Sequence, residues 1–171
     1  MTEIEIKFKV EDVDSFRKQL KEIGAGLKSI KNQRDTYFFH TTKEELSDVP
    51  TYLRVRTTDD ESLVAMHYKL EAYEWEEIET KVEDGDKVRK IYENLGFEID
   101  VEVVKKRETY EILEGEIVID HVENVGIYVE IEVDTMENLL RYCRIFGVEY
   151  GENVGLEGKS YADIVRENLN K

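Results

Sequence analysis

Several residues that would point to particular classes of protein are scarce in this chain. It has one cysteine, Cys143, so no intrachain disulfide can form, and a reducing compartment is expected. No apolar run approaches the ~20 residues of a membrane-spanning helix, and no charged-then-apolar leader opens the chain. We therefore expect a cytoplasmic protein with no membrane partner.

Positive charge is also scarce. Lys and Arg number 24 against 40 Asp and Glu, which gives a formal net charge of −16. A general nucleic-acid binder needs a basic footprint and none stands out, so no nucleic-acid partner is expected. If the protein binds a small polyanion, its positive groups must be concentrated in one sheltered place.

The remaining composition is that of a globular protein. Apolar residues make up 40% of the 171 positions, which is enough to bury a core. No linker or low-complexity segment interrupts the chain, so residues 1–171 are predicted to form a single domain.

Apolar and polar residues alternate along most of the chain, as they do in half-buried strands. In the segment TEIEIKFKV, Ile4, Ile6 and Phe8 fall on one face. Amphipathic helices are predicted over 11–23, 85–95, 135–146 and 160–169, and the apolar stripe of the third includes Cys143, which we interpret as a buried structural thiol. Eight strands are predicted: Thr2–Val10, Gln33–His40, Thr51–Thr58, Leu63–Leu70, Trp75–Lys81, Asp100–Glu111, Glu114–Val122 and Gly126–Asp134.

The polar faces of these strands are consistently ionic. On any single strand the simplest interpretation is a solvated outer face. Across all strands that interpretation weakens, because the opposite faces are apolar and must be buried. Helices packed on the outside of the sheet can bury these apolar faces, and the charged faces then point inward. We therefore predict an α+β fold in which an eight-stranded antiparallel β-barrel has charges inside and helices outside. The charges in question are Glu3, Glu5, Lys7, Arg54, Arg56, Lys69, Glu77, Glu79, Lys81, Lys105, Arg107, Asp120, Glu130 and Glu132.

A lumen with both signs of charge suits one kind of ligand. Clustered carboxylates favour a hard divalent cation such as Mg²⁺ or Mn²⁺, which usually shares its shell with substrate phosphates. Clustered Arg and Lys favour phosphate oxygens. The two sets together match a metal–polyphosphate complex.

The ordered motifs resemble the CYTH domain family, also called triphosphate tunnel metalloenzymes. Its hallmark ExExK stands here as Glu3-Ile4-Glu5-Ile6-Lys7. It is followed in the expected order by Gln33–Phe38, Leu53–Arg56, Tyr68-Lys69, Glu77–Thr80, Lys105–Arg107, Asp120, Val129–Glu132 and Ser160-Tyr161, so the resemblance covers nearly the whole chain.

The resemblance implies roles for these residues. Glu77 and Glu79 would extend the metal site or balance the positive charge of the basic residues in the lumen. Lys106 alternates with Lys105 and Arg107 along its strand, so its side chain is expected to point away from the lumen. Lys7, Glu5 and Asp120 are the predicted catalytic residues. The phosphate-binding cations would be Lys7, Arg54, Arg56, Lys69, Lys105 and Arg107, and the Mg²⁺ or Mn²⁺ ligands Glu3, Glu5, Glu130, Glu132 and Asp120.

The resemblance also implies an activity. The residues of these motifs resemble most those of class IV adenylyl cyclases, which convert ATP to cyclic AMP and pyrophosphate. A triphosphatase acting on inorganic tripolyphosphate or thiamine triphosphate is the alternative, and a non-catalytic polyphosphate or nucleotide binder is a third. Two departures bear on substrate identity: Leu70-Glu71 stands where a cyclase-like Gly-Pro is expected, and Trp75 where a basic residue is expected. A homodimer is left open.

Overall fold

The computed structural model describes residues 4–40, 51–71, 74–149 and 159–169, and the side chains within them except those of residues 40, 51–52, 67–71 and 74–76. These residues form eight strands and four helices. The strands are β1 (Ile4–Val10), β2 (Gly26–His40), β3 (Thr51–Thr58), β4 (Ser62–Glu71), β5 (Glu74–Val82), β6 (Phe97–Ile112), β7 (Gly115–Val122) and β8 (Gly126–Val133). The helices are α1 (Val13–Glu22), α2 (Gly85–Asn94), α3 (Met136–Phe146) and α4 (Tyr161–Leu169).

The strands belong to one eight-stranded sheet in the order β1-β8-β7-β6-β2-β3-β4-β5. The described register is antiparallel throughout. The α+β class, the eight antiparallel strands and the four helices predicted from the sequence are thereby confirmed. Among the described residues, no helix is long and apolar enough to cross a membrane.

Two strands begin three or more residues earlier than predicted. Strand β2 starts at Gly26 instead of Gln33, and β6 starts at Phe97 instead of Asp100. In the early part of β2, the apolar residues Leu27 and Ile30 lie three positions apart and are both about half exposed. That spacing places them on opposite faces of the strand, so no alternation marks the segment.

The chain divides into two compact units, of which unit 1 comprises residues 1–31 and 105–160. Its core lies between one face of the sheet and the helices α1 and α3. Helix α1 is capped at its N-terminus by Asp12, whose side chain accepts a hydrogen bond from Ser15 N at 3.0 Å, and α3 is capped at its C-terminus by Gly147 in the left-handed conformation. The buried apolar side chains are Ile6, Phe8, Phe16, Leu20, Ile117, Ile119, Val129, Ile131, Val133, Leu139 and Cys143.

Unit 2 comprises residues 32–104 and 161–171. Helix α2 packs on β3 and β4, and the Tyr92 ring meets Phe38 edge-on at 5.5 Å. Helix α4 buries Ile164 and Val165, and its Arg166 forms an ion pair with Asp100 of β6. Helix α2 therefore covers one side of β2, β3 and β4, and the charged residues of these strands lie on the other side.

Candidate active site

In unit 1, strand alternation separates apolar from charged side chains. Ile6, Ile119 and Val129 pack under the helices, so the side chains at neighbouring positions point to the opposite face of the sheet. That face collects five charged groups from four adjacent strands, which we call the unit 1 charge cluster: Lys7, Lys105, Arg107, Asp120 and Glu130.

Asp120 anchors two of the cations. It is fully buried, and its carboxylate accepts hydrogen bonds from Arg107 Nε at 2.8 Å and from Lys105 Nζ at 3.1 Å. The Arg107 Nη2 nitrogen also donates to Asp120, so the guanidinium and the carboxylate form a two-point contact. Asp120 therefore compensates the charge of both cations and holds their side chains in place.

Glu130 joins the remaining cation to the cluster. Its Oε1 lies 2.9 Å from Lys7 Nζ, and its Oε2 lies 2.6 Å from Arg107 Nη2. Burial alone would raise the pKa of Glu130, but the positive charges of Arg107 and the two lysines outweigh burial and hold the pKa below its ordinary value. Glu130 is therefore ionised at neutral pH.

Three further carboxylates lie on the same face. Glu5 of β1 and Glu132 of β8 are direct partners in the register, and Glu116 of β7 stands on the other side of Glu132. Directly opposed like charges repel unless a cation lies near them. Glu116 has Lys28 as its partner. The Glu5–Glu132 pair is an oxygen-donor set of the kind that suits Mg²⁺ or Mn²⁺.

The metal site predicted from the sequence is only partly within the described residues. Glu3 lies outside them. Among the side chains that the structure describes, no group of three or more His, Cys, Asp or Glu is arranged to hold a metal ion. The predicted ligands Glu130 and Asp120 instead contact the cations described above, whereas Glu5 and Glu132 are paired across two strands.

Unit 2 has its own charged face, on β2, β3 and β5. Arg56 forms a two-point contact with Asp35, from Nε at 2.7 Å and from Nη2 at 2.9 Å. The Arg54 Nη2 nitrogen lies 2.7 Å from Glu77 Oε1 and 3.2 Å from Glu79 Oε2. The interpretation that Glu77 and Glu79 balance basic residues agrees with this arrangement.

Tyr37 lies beside these arginines and is directly opposite Arg54 in the β2–β3 register. Its burial, together with the charge of Asp35, raises the pKa of Tyr37 to about 12, although Arg54 and Arg56 act in the opposite direction. The phenol is therefore protonated at neutral pH and can donate a hydrogen bond to an anion.

The structure thus brings together five of the predicted site residues in unit 1 and pairs Arg54 and Arg56 with carboxylates in unit 2. For Lys69, only the backbone is described, opposite Trp75 in the β4–β5 register. Lys106 is exposed and Cys143 is buried, both as predicted.

Sequence reasoning missed two groups of residues. Asp35 stands in the quoted Gln33–Phe38 motif, but its contact with Arg56 depends on a strand register that the sequence does not show. A second ionic group lies on the helix side of unit 1, where the buried carboxylate of Glu108 contacts Arg17, Tyr110 and His121. The one sequence feature that could have indicated this ionic group is the charged residue Glu108 on the otherwise buried, helix-facing side of β6.

Comparison with known proteins agrees with this architecture. Residues 1–140 match the CYTH domain. A candidate adenylate cyclase from Methanocaldococcus jannaschii, MJ0240, is 35% identical over 137 residues, 77% of each chain. The adenylate cyclase CyaB of Aeromonas hydrophila is 25% identical over 174 residues, which cover 98% of this chain and 90% of that protein.

Solved structures share the fold. The PH1012 protein of Pyrococcus horikoshii superposes with a TM-score of 0.79 at 26% identity, over 95% of this chain and 99% of that one. HpAC1 from Hippeastrum superposes with a TM-score of 0.71 at 18% identity, over 97% and 96% of the two chains. With its ExExK strand, its paired charges and a match that spans most of its length, the chain belongs to the CYTH domain family.

Proposed function

We propose that this protein is a divalent-metal-dependent enzyme of the class IV adenylyl cyclase type, which converts ATP to cyclic AMP and pyrophosphate. The observation that carries the proposal is the unit 1 charge cluster, in which Lys7, Lys105 and Arg107 are collected on one sheet face of a chain with net charge −16. Two relatives named adenylate cyclases support the choice of reaction.

The cations of the cluster are suited to a phosphate chain. Arg107 contacts Asp120 and Glu130, and Lys7 contacts Glu130, so both cations are already oriented before a ligand binds. Pre-orientation lowers the entropy cost of binding and keeps positive charge where phosphate charge develops. Asp120 acts through its two cations, Arg107 and Lys105. In unit 2, Arg54 and Arg56, and on β4 Lys69, are proposed as further phosphate-binding residues.

The carboxylates fit a divalent metal. Glu5 and Glu132 are the ligands that the register favours, with Glu3, Glu130 and Asp120 kept as further proposed ligands. When bound, Mg²⁺ or Mn²⁺ would neutralise phosphate charge and lower the pKa of the attacking hydroxyl. The charge of Lys7, two positions along β1 from Glu5, would share in neutralising the phosphates.

In the proposed reaction, the ribose 3′-oxygen forms a bond to the α-phosphorus. The bond from the α-phosphorus to the bridging oxygen breaks, and pyrophosphate leaves with the electron pair. The 3′-hydroxyl proton passes to solvent or to a carboxylate of this face. Lys7, Lys105 and Arg107 would stabilise the charge that moves onto the pyrophosphate oxygens.

A triphosphatase is the second candidate function. The charged groups of both units complement phosphates and a metal, and such groups serve attack by water as well as attack by a ribose hydroxyl. Trp75 stands where the cyclase-like pattern has a basic residue, and HpAC1 is described as having a dominant triphosphatase activity. The substrates would be inorganic tripolyphosphate or thiamine triphosphate.

A substrate panel separates the two. Purified protein with Mg²⁺ or Mn²⁺ is given ATP, tripolyphosphate or thiamine triphosphate, and the products are resolved by chromatography. Cyclic AMP with pyrophosphate, lost in Glu5→Gln and kept in the exposed-acid control Glu123→Gln, supports the cyclase. Phosphate release without cyclic AMP supports the triphosphatase, and tight binding without turnover supports a non-catalytic binder.

A further inference from the structure

Arg54 reaches its carboxylate partners across an intervening strand. It lies on β3, whereas Glu77 and Glu79 lie on β5, and β4 runs between the two. The β4 residue in register with both Arg54 and Glu79 is Ala65. Ala65 is 1% exposed, so the guanidinium passes over a methyl group that is itself covered. A longer side chain at position 65 would occupy that path.

The described contacts of Arg54 leave its Nε donor for a ligand. Its Nη2 nitrogen serves both Glu77 and Glu79. Its Nε is buried, and among the described residues no hydrogen-bond acceptor faces it. A buried donor without an acceptor destabilises the protein, and an anionic oxygen would remove that cost. Arg54 as a whole is 7% exposed, so its orientation is fixed by its neighbours.

We propose that Glu77 and Glu79 are positioning residues, which hold Arg54 through Nη2 so that Nε faces a phosphate oxygen of the substrate, and that Ala65 is the spacer that permits this contact. The inference rests on the proposed function, because it takes the anion to be a triphosphate. It assigns to Glu77 and Glu79 a role in binding that involves neither a metal nor the substrate directly.

A purely electrostatic role for the two acids predicts the opposite result. Negative charges near an anion weaken its binding, so their removal should tighten binding if they do nothing else. If they position Arg54, their removal frees a long side chain to adopt other rotamers, and binding should weaken. The sign of the change in affinity therefore separates the two roles.

The experiment measures binding of a non-hydrolysable imido analogue of tripolyphosphate, with Mg²⁺, by titration calorimetry. We expect Glu77→Gln/Glu79→Gln to bind roughly twofold to tenfold more weakly than the parent protein. Ala65→Leu should show a similar loss, and Ala65→Gly should not. Glu83→Gln removes one exposed acid just beyond β5; it is the control for the loss of a nearby negative charge and should keep parental affinity.

A mutant cycle and a stability measurement complete the test. In an Arg54→Ala background, the two Gln substitutions should cause no further loss of affinity, because the residue that they position is gone. Thermal unfolding checks that each variant is folded. Equal or tighter binding by Glu77→Gln/Glu79→Gln would overturn this inference and leave the proposed function standing. Failure of the parent protein to bind the analogue would overturn this inference, and the proposed function would then be decided by the substrate panel with ATP.

Discussion

Asp120 offers a sharp test of the unit 1 charge cluster. It is fully buried and anchors Arg107 and Lys105, whose side chains are 20% and 1% exposed. Asp120→Asn keeps the shape of the side chain and removes the charge that compensates the two cations. Breaking a buried ion pair from one side costs about 3–5 kcal/mol, and the partial exposure of Arg107 favours the lower end. We therefore expect a loss of about 3 kcal/mol.

Lys105→Met is the matched comparison. Methionine fills a similar volume, and Asp120 keeps its two-point contact with Arg107. Because Arg107 still compensates the charge of Asp120, the loss of Lys105 leaves no uncompensated buried charge, and its cost should fall well below the about 3–5 kcal/mol of a one-sided break. Lys105→Met should therefore be close to the parent protein in stability, although it removes a proposed phosphate-binding group.

Urea unfolding at neutral pH measures both variants, with thermal unfolding as a second probe. For a chain of this length, 3 kcal/mol corresponds to a fall of roughly 6–12 °C in the unfolding midpoint. The reasoning is refuted if Asp120→Asn costs less than about 1 kcal/mol, or if Lys105→Met costs as much as Asp120→Asn. Either result would mean that the contacts of Asp120 do not dominate the stability of the cluster.

Three other predictions follow from the same structure. Burial would raise the pKa of Glu108, but hydrogen bonds from Arg17 and Tyr110 outweigh burial and lower the pKa below its ordinary 4.5. The ionised carboxylate therefore stabilises the folded protein above pH 4.5, and this stabilisation is lost as the pH falls through the pKa that Glu108 has in the folded state. Glu108→Gln should accordingly make the free energy of unfolding depend less on pH in the acid range. Glu5→Gln and Glu132→Gln should each raise the Mg²⁺ or Mn²⁺ concentration for half-maximal activity by at least about tenfold, whereas Glu123→Gln should leave it unchanged. The Cys143 thiol is buried, and burial raises its pKa. A thiol reagent should therefore label the native protein on the order of a hundredfold more slowly than the unfolded protein. Equal labelling rates would contradict the burial of Cys143.

The sequence predicts the faces of the strands better than the contacts between them. In β1, Ile6 and Phe8 alternate with Lys7, and this alternation is sufficient to assign Lys7 to the charged face. The early part of β2 could not be predicted, because Leu27 and Ile30 are exposed and do not alternate with polar residues. Local patterning therefore identifies strands only where one face is buried.

Pairing partners require a register that no single strand encodes. The sequence places Arg54 and Arg56 on one face, but Asp35 becomes the partner of Arg56 only through the β2–β3 register. The contact of Arg54 with Glu77 also crosses β4 and depends on the small side chain of Ala65. Ala65 matters because its side chain is small, and the pattern of charged residues in the sequence cannot reveal such a position.

The nucleophile of the reaction is the most direct test of the proposed function. The measurement is ATP turnover with Mn²⁺ in ¹⁸O-labelled water, with the products examined by mass spectrometry. We predict cyclic AMP and unlabelled pyrophosphate, because the ribose 3′-oxygen attacks the α-phosphorus and water takes no part. Label in released phosphate or pyrophosphate would contradict the cyclase and support the triphosphatase, and no turnover at all would contradict an ATP-processing enzyme.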